Sequence, residues 1–255
     1  MSKVILVLSD ALRYDTAIAN MGFLGHLVES KLASLCKVIG ELPSMSRPMY
    51  ETIHTGTLSS VHGIVANSIV RRSTMPNIFQ SVVGAGKVTA AAAYYWVSEL
   101  YNRAPYNRID DKETDDEKLF IQHGRFYTQD EYPDIELFAS AAHLIRKFSP
   151  DYLLLHPMGM DYHGETFGSD SKEYRNHAIQ QDAWLAPLIQ EWMERDYTIM
   201  VTGDHGINRD GAHGGTTPEQ REVPLFMIQP NVKGRGDTGE MISQLQIAPT
   251  VLKML

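Results

Sequence analysis

The chain has 255 residues, of which 43% are hydrophobic and 21% charged, as is ordinary for a globular protein with a sizeable core. Its formal charge of −8 argues against a nucleic-acid polymer as the main partner. The single cysteine, Cys36, excludes a disulfide within these residues and fits a reducing compartment. The apolar run at residues 4–8 is too short for a signal peptide, and no run approaches the roughly 18 residues of a membrane span. We therefore expect a cytoplasmic protein.

Apolar runs and polar breaks predict the elements of the first part of the chain. A strand over residues 4–8 ends at Ser9 and Asp10, and a helix follows from Asp15 to about residue 29. The remaining elements predicted up to residue 95 are a strand at 35–39, a loop at 41–48, a helix at 49–54, a loop at 62–67 and a strand at 87–95. Asp10 therefore follows a strand, and Ser46 lies near the start of a helix.

Residues 97–133 form a polar, acidic and tyrosine-rich segment in which we expect no regular element. A connection of that length is unusual within a compact domain, so we predict a lid or insertion over the functional site. Trp96, Tyr101 and Tyr106 favour an aromatic slot for a nucleobase, whereas lysine or arginine under the segment would suit the extra charge of a monoester. A solvent-exposed surface loop is the alternative.

The last part of the chain continues the alternation of strands and helices. The predicted helices cover residues 134–148, 171–194 and 242–255, and the predicted strands cover residues 151–155, 197–201 and 223–228. Residues 156–165 are predicted as a loop. The alternation predicts one α/β domain over residues 1–255, with a doubly wound, mostly parallel sheet flanked by helices.

Acidic side chains follow three of the predicted strands, at the edge where open α/β sheets bind ligands. They are Asp10, Asp161 with Glu165, and Asp204. Four carboxylates at one edge would repel and raise one another's pKa, a problem that bound divalent cations remove. His205 and His213, each beside a glycine, add imidazole ligands. The pattern predicts a metal site.

Several short motifs occur in a characteristic order along the chain. They are LSDALR at 8–13, PSMSRP at 43–48, HGIVANS at 62–68, DYHGETFG at 161–168, TGDHG at 202–206 and HGG at 213–215. In this order and spacing they resemble the alkaline phosphatase superfamily, most closely its nucleotide pyrophosphatase/phosphodiesterase-like branch. The resemblance implies the fold of that superfamily and metal-dependent chemistry on a small phosphate ester.

Carried over position by position, the resemblance implies two divalent ions, either Zn²⁺ or Mn²⁺, with Mg²⁺ also open. One ion would be held by Asp10, Ser46, Asp204 and His205, and the other by Asp161, His213 and either Glu165 or His163. Ser46 would attack phosphorus and form a phospho-serine intermediate. Asn67 and the backbone amides after Ser46 would bind the phosphoryl oxygens.

The chain departs from the family pattern in three places. Glu165 stands where the second metal usually receives a histidine, which leaves mainly oxygen ligands and tilts selectivity toward Mn²⁺ or Mg²⁺. Ser46 replaces the commoner threonine but keeps the hydroxyl. His213 follows His205 by only eight positions, a short spacing similar to that of the lipid-anchor ethanolamine-phosphate transferases of the same superfamily.

Three functions follow from this pattern. The first hypothesis is a phosphodiesterase or nucleotide pyrophosphatase. The second is a phosphomonoesterase, a phosphonate hydrolase or a phosphoethanolamine-type transferase. The third is a non-catalytic metal-binding protein, against which Ser46 and Asn67 argue because a binding module needs no nucleophile. The role of Arg47 is left open between a phosphate contact and a surface or helix-pairing role. His156 is a candidate to support a metal ligand. The sequence does not indicate the oligomeric state.

Overall fold

A computed structural model of the protein describes residues 3–255 as one mixed sheet with helices on both faces. The strands are β1 (Lys3–Ser9), β2 (Ala33–Ile39), β3 (Thr89–Tyr94), β4 (Glu113–Asp115), β5 (His123–Tyr127), β6 (Tyr152–Leu155), β7 (Tyr197–Gly203), β8 (Glu222–Ile228) and β9 (Gly236–Ser243). The α-helices are α1 (Tyr14–Asn20), α2 (Gly22–Glu29), α3 (Ser46–Thr55), α4 (Ser59–His62), α5 (Ile78–Gly84), α6 (Tyr95–Tyr101), α7 (Asp134–Phe148), α8 (Gly159–Phe167), α9 (Lys172–Glu194), α10 (Pro218–Arg221) and α11 (Ile247–Met254). A short 3₁₀ helix covers Gln244–Gln246.

The nine strands are ordered β4-β5-β3-β6-β1-β7-β8-β2-β9. The central strand β1 pairs in parallel with β6 on one side and with β7 on the other. Antiparallel pairing is limited to the β7–β8, β8–β2 and β4–β5 neighbours. The predicted α/β fold with a mostly parallel sheet is confirmed, and it brings the carboxyl ends of β6, β1 and β7 side by side.

Both faces of the sheet are covered, which is why its central strands are apolar throughout rather than alternating. On β1, Ile5 and Val7 pack into one hydrophobic cluster with residues of α2, α7 and α9. Val4, Leu6 and Leu8 pack into the opposite cluster with residues of α3, α5, α6 and α11. The two-residue period of the strand thus divides one apolar run between two cores.

Three predicted elements differ in the structure. The helix predicted at 15–29 is two helices, because the chain bends at Met21 and the Asp182 carboxylate accepts the Phe23 and Leu24 amides at 2.6 and 3.0 Å. The loop predicted at 156–165 contains α8, whose first residue, Gly159, donates to Asp134 at 3.2 Å. The helix predicted at 242–255 begins only at residue 247, because residues 236–243 form β9 and pair with β2.

The sequence predicted no regular element in residues 97–133, and this prediction is wrong. The segment contains the end of α6, then β4 and β5, and β5 pairs in parallel with β3. The segment therefore extends the sheet on one side, and its role as a lid stays a prediction. Among residues 3–255, no helix has both the length and the apolar character needed to cross a membrane.

Candidate active site

The candidate site lies at the carboxyl ends of the three central strands. Asp10 follows β1, His156 follows β6, and Asp204 follows β7. The Ala11 amide donates to Asp204 Oδ1 at 3.0 Å, which joins the two strand ends directly. Asp10, His156 and Asp204 are fully buried. The topology therefore delivers the predicted acidic residues to one edge of the sheet.

His205 is at the centre of the first group of side chains. Its Nε2 atom lies 3.3 Å from Asp10 Oδ1, 3.4 Å from Asp204 Oδ2 and 3.1 Å from Ser46 Oγ. Its Nδ1–H donates to the Gly206 carbonyl at 3.0 Å, which leaves the Nε2 lone pair facing this group. Burial lowers the pKa of His205 to about 4, so the imidazole is neutral near pH 7. The four residues predicted to share one metal are thus brought together.

The second group forms where α8 meets the loop after β7. His213 Nε2 lies 3.0 Å from Glu165 Oε1 and 4.0 Å from Asp161 Oδ1, and the His213 ring stacks on His205 at 4.5 Å. His163 instead bonds the Gly159 carbonyl at 2.7 Å through Nδ1. Of the two alternatives for the second metal, the structure therefore brings Glu165 to His213.

The donor set of these groups fits divalent cations. Asp10 Oδ1, Asp161 Oδ1, Asp204 Oδ2 and His213 Nδ1 are buried without a hydrogen-bond partner among residues 3–255. Candidate ligand atoms of Asp10, Asp204 and His205 lie within 4.8 Å of one another, as do those of Asp161, His205 and His213. Buried acceptors that lack donors are costly unless a ligand satisfies them, and carboxylate oxygens with imidazole nitrogens suit Zn²⁺ and Mn²⁺.

The carboxylates differ in their affinity for protons. Burial raises the pKa of Asp161 and of Asp204 well above the usual range, and the charge of Asp10 adds to both shifts. Burial opposes ionisation of Asp10 as well, but the hydrogen bond from His156 and the nearby imidazole of His205 outweigh it and lower that pKa to about 2. Asp10 is therefore the permanent negative charge around which the others are arranged.

Ser46 lies at the first residue of α3, and Asn67 lies beside it. The Arg47 amide donates to Asn67 Oδ1 at 3.0 Å. The sequence predicted that amides after Ser46 would be free for phosphoryl oxygens, but this one is occupied by Asn67. The Nδ2 group of Asn67 remains the donor next to the nucleophile.

Two features of the site were not found from the sequence. Tyr50 donates its hydroxyl to Asp10 Oδ2, and His156 Nε2 lies 3.1 Å from the same oxygen, so His156 contacts a candidate metal ligand and its supporting role stays a prediction. Tyr50 follows Ser46 by four residues on α3, so helical spacing places both on one face and could have indicated it. Arg47 of α3 pairs with Glu99 of α6 at 2.7 Å, which is the helix-pairing alternative, but the sequence did not identify Glu99 as the partner. No sequence signal joins residues so far apart.

The sequence of the chain matches one known protein family. Residues 4–210 match the family model described as type I phosphodiesterase/nucleotide pyrophosphatase. The chain belongs to this family. The family lies within the alkaline phosphatase superfamily, so the resemblance found in the sequence is confirmed. That superfamily consists of metal-dependent enzymes that process phosphate esters.

The chain is similar in sequence to several curated proteins. It is 23% identical over its whole length to the human GPI ethanolamine phosphate transferase 3, catalytic subunit, of which it covers 24%. It is 31% identical over 41% of its length to GPI ethanolamine phosphate transferase 2 of Candida albicans, of which it covers 13%. The chain thus spans about a quarter or less of these curated relatives.

Solved structures share the fold at low identity. Murine ectonucleotide pyrophosphatase/phosphodiesterase 5, an inactive form in complex with AMP, superposes with a TM-score of 0.77 at 14% identity over 100% of this chain and 95% of the other. Phosphonate monoester hydrolase from Silicibacter pomeroyi gives 0.68 at 15% identity over 100% and 73%. These likenesses establish an alkaline-phosphatase-like fold.

Proposed function

We propose that the protein is a two-metal phosphodiesterase of the nucleotide pyrophosphatase type that works through a phospho-serine intermediate. The observation that carries the proposal is the convergence of Asp10, Asp161 and Asp204, with unpaired buried oxygens, around a serine hydroxyl 3.1 Å from His205 Nε2. A module that only bound metal would have no need of a buried hydroxyl at the point where the ligands meet.

Each of these residues has a distinct part in the proposed reaction. Ser46 Oγ attacks phosphorus, the alcohol or phosphate on the opposite side leaves, and water then displaces the serine to regenerate the enzyme. The two groups of ligands would hold divalent ions, which when bound would lower the pKa of the attacking hydroxyl and neutralise charge on the phosphoryl oxygens. The Asn67 side-chain amide donates to a non-bridging oxygen. Tyr50 and His156 hold the Asp10 carboxylate in one orientation.

The experiment compares bis-p-nitrophenyl phosphate with p-nitrophenyl phosphate on protein that has been stripped of metal and re-supplied with Zn²⁺ or Mn²⁺. The proposal expects turnover that requires metal and a higher kcat/KM for the diester. Preference for the monoester would replace the proposal by a phosphomonoesterase. No turnover with either substrate and either metal would contradict both hydrolytic readings.

A second candidate is a phosphoethanolamine-type transferase. It is supported by the similarity, over the whole of this chain, to the human GPI ethanolamine phosphate transferase 3 catalytic subunit and by the short spacing of eight positions from His205 to His213. The two functions share the serine intermediate and differ only in what releases it. With p-nitrophenyl phosphoethanolamine as donor and an added alcohol, ³¹P NMR would distinguish phosphoethanolamine, the product of hydrolysis, from the new diester, the product of transfer.

A further inference from the structure

We propose that a basic, tyrosine-lined cavity beside the candidate active site is a subsite for a second anionic group of the substrate. This inference rests on the proposed function and adds to it a class of substrate. The cavity has a volume of about 330 Å³, within the range of small-ligand sites, and its lining includes Tyr106, Arg108, Lys112, Tyr127 and Tyr132. We name it the distal cavity.

The distal cavity opens at the same end of the sheet as the catalytic side chains. Tyr127 is the last residue of β5, which is parallel to β3 and, through β6, to β1. Three strand spacings separate β5 from β1, which places the cavity about 14 Å from the strand that carries Asp10. Tyr127 also donates its hydroxyl to the His156 carbonyl at 2.8 Å, so a side chain of the cavity lining is bonded to the residue that contacts Asp10.

A row of aromatic rings joins the two places. The Trp96 ring lies 6.4 Å from Tyr50, which contacts Asp10, and 6.1 Å from the Tyr95 ring. Tyr95 in turn lies 5.3 Å from Tyr106, in the lining of the distal cavity. Trp96, Tyr95 and Tyr106 are half-buried, so each of the three residues is accessible in part along this row, where the body of a substrate can lie.

The charges of the lining select an anion. Arg125 faces Glu113 at 3.8 Å and Asp115 at 3.0 Å, so its charge is compensated within the protein. Arg108 donates only to the Thr128 hydroxyl, at 2.7 Å, and within residues 3–255 neither Arg108 nor Lys112 forms an ion pair. Glu113 also lines the cavity but lies beside Arg125, so Arg108 and Lys112 are two cations of the lining without a carboxylate partner, in a chain whose formal charge is −8.

The substrate class that fits both places is a phosphodiester whose alcohol carries a second phosphate, phosphonate or carboxylate. The two anionic groups would be separated by roughly 10–15 Å, the distance from β1 to β5. The reacting phosphoryl group would lie at Ser46 and the second group between Arg108 and Lys112. The tyrosines of the cavity would contact the connecting part.

The test substrates are p-nitrophenyl phosphodiesters whose second ester group is an ethyl or a decyl chain. The far end of that chain carries either a hydroxyl or a phosphonate. With the decyl chain, we expect the phosphonate-ended substrate to have a kcat/KM about 5- to 10-fold higher than the hydroxyl-ended one, through a lower KM. A gain of this size is what two solvent-accessible charge contacts contribute to binding. The ethyl pair should show no such gain. In the double variant Arg108→Gln/Lys112→Gln the phosphonate-to-hydroxyl ratio for the decyl pair should fall to about 1.

Lys118→Gln is the matched control, because Lys118 is an exposed lysine of the same segment that lies outside the lining of the distal cavity. It should retain the ratio of the wild type. The same ratio in the double variant as in the wild type, or no gain with the decyl phosphonate, would overturn the distal cavity as a subsite. Absence of turnover of all the hydroxyl-ended diesters would instead overturn the proposed function, and the inference with it.

Discussion

Asp204→Asn is expected to make the metal-free protein more stable while it abolishes the response to metal. The variant keeps the shape of the side chain and the oxygen that accepts the Ala11 amide at 3.0 Å. It removes one of two carboxylate charges whose oxygens lie no more than 4.8 Å apart, the other being on Asp10. The new amide can also donate to the buried lone pairs around His205.

The size of the effect follows from that distance. At an effective dielectric constant of about 20, two unit charges 4.8 Å apart repel by about 3.5 kcal/mol. We therefore expect a gain of about 3 kcal/mol in the free energy of unfolding, or about 6–12 °C in Tm for a chain of this size. When metal binds to the folded state, the free energy of unfolding of the wild-type protein should rise by at least this amount, and that of the variant should not change.

The dependence on pH gives the sign of the effect independently. Burial and the charge of Asp10 raise the pKa of Asp204 above its usual value of 3.8, so the folded protein holds this proton more tightly than the unfolded chain does. The stabilising contribution is therefore present below about pH 3.8 and is lost as pH rises through the raised pKa. In chelator, the advantage of Asp204→Asn over wild type should grow from pH 5 to pH 8.

The assay is thermal unfolding by circular dichroism in EDTA at both pH values, repeated after addition of Mn²⁺. Asp182→Asn is the control, because both oxygens of Asp182 accept backbone amides of α2. That exchange should destabilise by about 1–3 kcal/mol, since one N–H loses its acceptor, while the response to metal is kept. An Asp204→Asn protein that melts below wild type in EDTA at pH 8 would refute the reasoning.

Three further predictions concern the nucleophile, the second metal and the buried ion pair. Ser46→Ala should lower kcat for bis-p-nitrophenyl phosphate at least about 10³-fold, whereas Ser46→Thr should retain most of the activity because threonine keeps the hydroxyl. Equal rates for the Ala and Thr variants would contradict a nucleophilic role. Glu165→His should raise the ratio of Zn²⁺- to Mn²⁺-supported activity about 10-fold or more, measured by metal titration, and an unchanged ratio would mean that Glu165 does not set metal preference. Glu99→Gln should lower the free energy of unfolding, measured by urea denaturation, by about 3 kcal/mol, because it leaves Arg47 charged and unpaired within the core. A loss below about 1 kcal/mol would show that the ion pair is not desolvated.

The sequence indicated the centre of the site because its chemistry is tied to strand ends. Asp10 and Asp204 each follow a short apolar run that is typical of a buried strand, and in a parallel sheet such ends share one edge. His205 and His213 follow within nine residues of Asp204 and come with it. Local pattern and topology together were therefore enough to gather these residues.

The parts that were missed depend on contacts between distant segments or on glycine-rich local sequence. Helix α8 begins with Gly159, which reads as a loop residue but is required, since a Cβ there would lie 2.0 Å from His177 Nε2. Strands β4 and β5 lie in a polar segment whose pairing with β3 supplies what propensity does not. The pairing of Arg47 with Glu99, 52 residues apart, leaves no local signature.

The most direct test of the proposed function is to identify the covalent intermediate on metal-loaded protein. The protein is mixed with bis-p-nitrophenyl phosphate, quenched in acid within the first turnovers, digested, and examined by mass spectrometry. Attack by Ser46 releases one p-nitrophenolate and leaves a p-nitrophenyl-phosphoryl group on the serine oxygen. We predict this mass on the peptide that contains Ser46, and no such mass with Ser46→Ala. Turnover without any adduct on that peptide, or an adduct on another residue, would contradict the proposed function.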